Sequence, residues 1–345
     1  MRAIVHETYG DAGVLHLADV PDPVPGPEDV LIRVHAAGVD RGAWHAMTGL
    51  PLISRLGFGP RRPRNPTPGM DLAGVVEAVG ARVTGFAPGD EVFGSGTSSW
   101  AGLATARPAR LLHKPAHLTF EQAAALPTAG ATARRMLGHP GGGHPSVPAA
   151  GGHPTIPAAG GHSAIPAGGH PATTGGGLEV LVIGAGGGVG SLAVLLARAR
   201  GDRVTGVCGT AKAGAVRGLG ADAVIDYTRE PFTGRYDLIV DIAGNRPVGE
   251  LRALLTPRGR LMIAGGERGG RWFGGLERNL GLFALSPFVK HGLGAPIVVT
   301  TRADLAALTA VTPLIGETHP LAGAPEAMRR LAAGAVVGKA VLSCS

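Results

Sequence analysis

The chain is poor in several residue types, and each shortage narrows what it can be. Only two of its 345 residues are cysteine, Cys208 and Cys344, too few for a disulfide framework or a four-cysteine zinc lobe. A reducing compartment is therefore expected, and with it a cytoplasmic location. Aromatic residues make up 4% of the chain, and lysine occurs only at Lys114, Lys212, Lys290 and Lys339, so the net charge of +7 rests on arginine. The densest basic cluster, Arg61-Arg62-Pro63-Arg64, lacks the interleaved aromatics that stack bases. It reads as a solvated loop, and no nucleic-acid partner is expected. No secretory signal is expected from the opening MRAIVHETYG. Val180 to Ala197 runs 18 residues without a charge, but glycines at 184, 186, 187, 188 and 190 interrupt it. A strand, a turn and a helix explain that run better than a membrane span, and no membrane partner is expected.

Glycine is abundant, with 58 residues, and proline contributes 28. Part of this excess is local: residues 138–177 hold 13 Gly, 7 Pro and 5 His and no Asp, Glu, Lys or Arg. A nine-residue unit recurs there, PSVPAAGGH from Pro145 and PTIPAAGGH from Pro154, followed by SAIPAGGH from Ser163. Such a composition buries too little apolar surface to offset its ordering entropy, so it reads as a flexible insertion. Its histidines invite a Ni, Cu or Zn site, but ligands on a loose chain are not preorganised, and no metal site is expected.

The rest divides into two domains. Residues 1–125 carry short β-branched runs, Val30–Ala36, Leu72–Val79 and Glu91–Phe93, between turn clusters, which suggests a compact β-barrel. A helix-compatible stretch follows at Glu121–Ala133. Residues 126–300 alternate strands with helices, the strands falling at Leu178–Ile183, Arg203–Val207, Ala223–Ile225, Leu238–Asp241, Arg260–Ile263 and Pro296–Thr300. That grammar implies an α/β fold with a doubly wound parallel sheet. Residues 301–345, with a short helix at Ala303–Ala310, are expected to return to the first domain.

Between the first of these strands and its helix lies VLVIGAGGGVGSLAVLL, with Val189, Leu192, Ala193 and Leu196 expected on the buried face of the helix. Gly187 and Gly190 take the second and third positions of a G-x-G-x-x-G fingerprint with Ala185 at the first; counted from Gly184 the spacing is G-x-x-G-x-x-G. Small residues there let the backbone approach a pyrophosphate held at a helix N-terminus. Gly184, Gly187, Gly188, Val189 and Gly190 are thus the expected cofactor-binding turn. The second strand ends Val207-Cys208-Gly209-Thr210-Ala211-Lys212, without the carboxylate that would hold ribose hydroxyls. Thr210 and Lys212 suit a 2′-phosphate instead, so NADPH is expected in preference to NADH.

Taken together, the motifs resemble those of the medium-chain dehydrogenase/reductase superfamily, in its zinc-independent, quinone-oxidoreductase-like branch. They are Gly38-Val39-Asp40-Arg41 with Trp44-His45, Pro68-Gly69-Met70-Asp71-Leu72-Ala73-Gly74, Pro88-Gly89-Asp90-Glu91-Val92-Phe93-Gly94, Ala125 to Ala133, Leu219-Gly220-Ala221-Asp222, Ile225-Asp226-Tyr227 and Gly338-Lys339. The resemblance implies a GroES-like catalytic domain beside a Rossmann domain. It also implies Thr132 near the nicotinamide ribose, Thr210, Lys212 and Tyr227 near the 2′-phosphate, Asn245 and Gly265 flanking the cofactor, and Lys339 as a further contact. A homodimer is likewise an expectation from the family.

Three departures stand out. Zinc alcohol dehydrogenases place Cys and Gly-His-Glu where this chain has Asp40 and Gly69-Met70-Asp71, so a metal-activated alcohol is not expected. Trp100-Ala101-Gly102-Leu103 lacks the acid of the family's aromatic-Ala-Glu-aromatic signature. The insertion sits before the first Rossmann strand, and the region near Asp304–Val311 is short. Hydride transfer to a quinone or an α,β-unsaturated carbonyl remains the expected chemistry, with the candidate catalytic residues Asp40, Arg41, Trp44 and His45. Arg41 and His45 are the candidate donors, Trp44 a wall; a packed, structural role is the alternative for His45. An NADPH-binding redox sensor and an alcohol dehydrogenase are the other readings.

Overall fold

The computed structural model describes residues 1–138, 177–264, 270–275, 278–279, 281–282, 289–296 and 298–344. All of the repeat segment except Gly138 and Gly177 lies outside the described residues, as does Gly265.

Two large sheets organise the chain. The first has the order Ile315–Pro320, Lys339–Ser343, Val30–Val39, Asp71–Val79, Glu91–Ser95, Leu111–His113, and Leu103–Ala106 pairs with Val30–Val39. All its pairings are antiparallel except Ile315–Pro320 with Lys339–Ser343. The second is parallel throughout, in the order Ala223–Asp226, Arg203–Cys208, Glu179–Ile183, Tyr236–Asp241, Leu255–Ile263, Gly292–Gly294. Numbered along the chain this is 3-2-1-4-5-6, the Rossmann order, whose direction reverses between the first and fourth strands. The glycine turn follows the first strand and so stands at that switch point.

The expected α/β class holds, and four local readings are corrected. The stretch Glu121–Ala133 forms two helices, Phe120–Ala124 and Pro127–Leu137, because Pro127 has no N–H to continue the first and suits the start of the second. Arg302–Leu308 replaces the helix expected at Ala303–Ala310, starting on a Thr301 capping box. The sixth parallel strand is Gly292–Gly294, not Pro296–Thr300. Val299 is half-exposed, and its carbonyl accepts from Arg135 at 2.8 Å, so residues 298–300 serve as a connection. Finally, the helix Gly188–Ala199 buries Gly190, Ser191, Leu192, Ala193, Val194 and Ala197, whereas Val189 and Leu196 are only half-buried. It is covered on two sides, by the sheet and by Pro127–Leu137, which widens the buried stripe beyond one row.

One apolar cluster joins the lobes: Ala36, Ala73 and Phe93 of the first sheet pack with Leu126, Met136, Val182, Leu192 and Leu305. The two sheets are therefore joined by continuous core. Among the described residues no helix is long and apolar enough to cross a membrane.

Candidate functional site

The turn after Glu179–Ile183 is built for close backbone approach. Gly184 has φ +88°, and a Cβ on Gly190 would lie 2.1 Å from the Gly184 carbonyl oxygen. The following helix starts at Gly188 with Gly187 as its N-cap, so no side chain satisfies its first amides. Those amides and the positive end of the helix dipole suit an anion.

The C-terminal strand reaches across to this turn. Gly338 N–H donates to the Gly186 carbonyl at 2.9 Å, and the Lys339 methylenes cross the face of Gly188. The Lys339 ammonium, buried at 3% exposure, donates to the Val39 carbonyl at 3.1 Å. Lys339 thus connects the glycine turn to the segment that begins at Asp40.

In that segment Asp40 caps the helix Arg41–Thr48, its carboxylate accepting from Ala43 N–H at 2.9 Å. The Arg41 guanidinium lies 5.5 Å from the centre of the Trp44 ring. His45 Nδ1 contacts the Leu50 carbonyl, an arrangement that puts the ring proton on Nδ1. Burial lowers the His45 pKa and outweighs the opposing pull of that carbonyl, leaving the ring neutral near pH 7. These are the contacts of a structural histidine.

Behind Asp40 stands Asp71, fully buried. Its carboxylate accepts from Thr128 N–H at 2.9 Å, Thr128 Oγ1 at 2.7 Å and Ser95 Oγ at 3.2 Å. Thr128 opens the helix that also carries Thr132, whose hydroxyl donates to the Thr128 carbonyl at 2.7 Å. Asp71 therefore fixes the start of the Thr132 helix from the opposite lobe. Burial, reinforced by the charge of Asp40, pushes its pKa up to about 6, against the pull of Lys339 and the Thr128 hydrogen bonds.

This shift has a direct thermodynamic consequence. The ordinary carboxyl titrates at 3.8, so folding takes up a proton between that value and about 6, and stability falls as pH rises through that window. Asp71→Asn keeps an acceptor for Thr128 N–H, and the two hydroxyls can turn to accept from its amide. Urea midpoints measured across the window are expected to show a wild-type decline of about 3 kcal/mol that is absent in the variant. Parallel curves for the two proteins would refute the assignment.

The far end of the parallel sheet holds a second group. Thr210 Oγ1 donates to Asp226, which also accepts from Thr228 N–H at 3.0 Å and Thr228 Oγ1 at 2.7 Å. The exposed Tyr227 ring stands against Gly209. Lys212 crosses Gly186, and its ammonium donates to the Val336 carbonyl at 2.6 Å.

Comparison with known proteins agrees with this geometry. An alcohol dehydrogenase GroES-like domain model matches residues 26–137, and a zinc-binding dehydrogenase model matches residues 219–342. The quinone oxidoreductase of Lama guanicoe is 32% identical over 281 residues, covering 77% of this chain and 73% of that protein. The chain belongs to the quinone-oxidoreductase-like branch of the medium-chain dehydrogenase/reductase superfamily. The human quinone oxidoreductase is 29% identical over 369 aligned positions, covering 99% of this chain and 97% of its own. In fold, this medium-chain reductase matches the Escherichia coli quinone oxidoreductase complexed with NADPH at a TM-score of 0.74, with 22% identity, covering 99% of this chain and 100% of that one.

Within this medium-chain reductase, the structure brings Gly187, Gly188, Lys339, Asp40 and, through Asp71 and Thr128, Thr132 into one neighbourhood. Thr210, Lys212 and Tyr227 gather at the other end of the glycine turn. Asn245 is exposed, just beyond the strand Tyr236–Asp241. Two functional candidates escaped the sequence reading. Asp71 and Asp226 both lie inside quoted motifs, but only their partners Thr128 and Thr210 make them part of the site. Among the described residues no group of three His, Cys, Asp or Glu is placed to hold a metal ion.

Proposed function

We propose that the protein is an NADPH-dependent reductase of quinones or α,β-unsaturated carbonyls that works without a metal ion. The observation that carries this reading is the uncapped helix N-terminus at Gly187–Gly188, crossed by buried Lys339, which leads to the Asp40–His45 wall of the other lobe. Gly184, Gly187, Gly188, Val189 and Gly190 would hold a pyrophosphate on backbone amides. Thr132 and Asn245 would contact the nicotinamide half, and Lys339 would add positive charge beside the phosphates. When bound, the reduced nicotinamide supplies a hydride. The protein's part is to orient the acceptor and exclude water, with Trp44 as a wall. Arg41 would donate to the oxygen on which negative charge grows. His45, neutral with its Nδ1 proton directed to Leu50, holds the end of the helix in place.

Thr210, Lys212 and Tyr227 would receive the 2′-phosphate. Asp226 is compatible with that role because its charge is already engaged by Thr210, Thr228 and Arg229, the last at 3.6 Å. The absence of His and Cys at Asp40 and Met70 supports a metal-free mechanism. Oxidation of NADPH and NADH with a panel of quinones, enones and aldehydes tests the proposal; tight nucleotide binding with no turnover of any acceptor would sink it. Lys212→Ala is expected to weaken NADPH about tenfold or more while changing NADH little. Equal losses for both nucleotides would refute the 2′-phosphate assignment.

A further inference from the structure

Nine large apolar side chains are exposed among the described residues, and five of them gather in one place. Ile53, Leu56 and Phe58 lie on the turns Leu52–Ser54 and Arg55–Phe58. Trp272 and Phe273 lie on a segment hydrogen-bonded to them, Leu52 N–H to the Arg271 carbonyl at 2.9 Å and Ile53 N–H to the Trp272 carbonyl at 3.2 Å. The exposures are large: 75% for Leu56, 68% for Trp272 and 51% for Phe273.

Basic residues border this patch. Arg64 N–H donates to the Phe58 carbonyl at 2.7 Å, which folds the Arg61-Arg62-Pro63-Arg64 cluster back against the apolar turn. Arg61, Arg62, Arg64 and Arg271 are all exposed. From residue 41 to residue 70 the sequence contains no Asp or Glu. Among the described residues, the acids bordering the area are Glu7, beside the arginine cluster, and Asp11, beside Arg55 and Arg271. The arginine cluster has no aromatics interleaved in sequence, but the fold sets Phe58 beside it and Trp272-Phe273 next to Ile53.

We propose that this face docks on a lipid surface bearing anionic headgroups. Trp272, Phe273, Leu56 and Phe58 would enter the boundary between headgroups and acyl chains, while the guanidiniums pair with phosphates. Charge complementarity selects this occupant: a second copy of the chain would set arginine against arginine. The turn Leu52–Ser54 follows closely on the helix Arg41–Thr48, which carries the proposed acceptor wall, so on that reading docking would bring the acceptor site near a membrane-dissolved acceptor. The docking itself goes beyond the reductase reading and does not depend on it.

Flotation of the full-length protein with vesicles tests this, using phosphatidylcholine alone and phosphatidylcholine mixed with phosphatidylglycerol. Binding is expected only to the mixed vesicles and is expected to weaken as salt is raised. Trp272→Ala with Phe273→Ala, and separately Arg61→Glu with Arg62→Glu, are each expected to lower binding at least about tenfold. Neither pair is expected to alter NADPH oxidation with a water-soluble acceptor or the melting temperature. Equal binding to both vesicle types, no binding to either, or unchanged binding of both variants would overturn the inference. So would a wild-type dimer that Trp272→Ala with Phe273→Ala dissociates, or displacement from vesicles by RNA but not by salt. Vesicle binding without reductase activity would leave this inference standing and remove the proposed function instead.

Discussion

Gly190→Ala is expected to weaken nicotinamide-nucleotide binding by about 10²-fold or more, the scale of loss that a displacement of about 1 Å produces in a preorganised site. The added Cβ would lie 2.1 Å from the Gly184 carbonyl oxygen and 2.8 Å from the Ala185 Cα, both backbone atoms of the turn itself. Neither can rotate away, so the turn must open and the amides at the start of the helix must move. A control is available in Gly214, a helical glycine whose would-be Cβ meets nothing within 4 Å beyond its chain neighbours and its own helix backbone. Gly214→Ala is expected to leave binding unchanged and to stabilise the fold by about 0.5–1 kcal/mol. Nucleotide titration by fluorescence or calorimetry reads both. Full affinity in a folded Gly190→Ala protein would show that the turn does not hold the nucleotide.

The largest expected loss of stability is at Asp304. Its carboxylate has 3% exposure and accepts from Arg134 at 2.9 Å, Arg135 at 3.0 Å, Thr301 N–H at 3.0 Å and Thr301 Oγ1 at 2.7 Å. Two partly buried arginines on Pro127–Leu137 are thereby tied to the cap of Arg302–Leu308. Asp304→Ala removes one member of a buried ionic group and leaves the others without compensation, an effect of about 3–5 kcal/mol. A lower urea midpoint at unchanged slope is expected. Burial raises the Asp304 pKa, but the Thr301 hydrogen bonds and Arg135 outweigh it, so the net shift is downward. The associated stability is present above the ordinary carboxyl value of 3.8 and is lost as pH falls through the depressed one. The wild type should therefore approach the variant in strong acid; a gap that persists unchanged there would point to packing instead of charge.

The glycine turn was legible from sequence because its geometry admits only small residues at given steps. The alternation of strands and helices was legible for a similar reason, since each parallel strand is a short apolar run between polar turns. Val298-Val299-Thr300 misled because β-branched composition does not reveal who takes a carbonyl; Arg135 takes that of Val299. The helix break at Pro127 followed from the missing N–H but was overridden by the apolar pattern around it. For the site, Asp40 and Lys339 were named, but nothing in their spacing says that Lys339 meets Val39 or that Asp71 lies behind Asp40. Such pairings are set by sheet register between distant strands, which a local reading does not contain.

The strand Lys339–Ser343 sits between Ile315–Pro320 and Val30–Val39 in the first sheet. During synthesis, Val30–Val39 can pair early with Asp71–Val79 and, along Val30–Arg33, with Leu103–Ala106, but the Ala36–Val39 part of that second edge waits until the ribosome has released residues some 300 positions later. Closing so large a loop is entropically slow, and an unpaired edge invites aggregation meanwhile. The parallel-sheet lobe, whose described strands draw on residues 179–294, can assemble before that closure. Gly338 and Lys339 then arrive together with the last strand, so the nascent chain acquires its finished glycine turn only at the end of assembly.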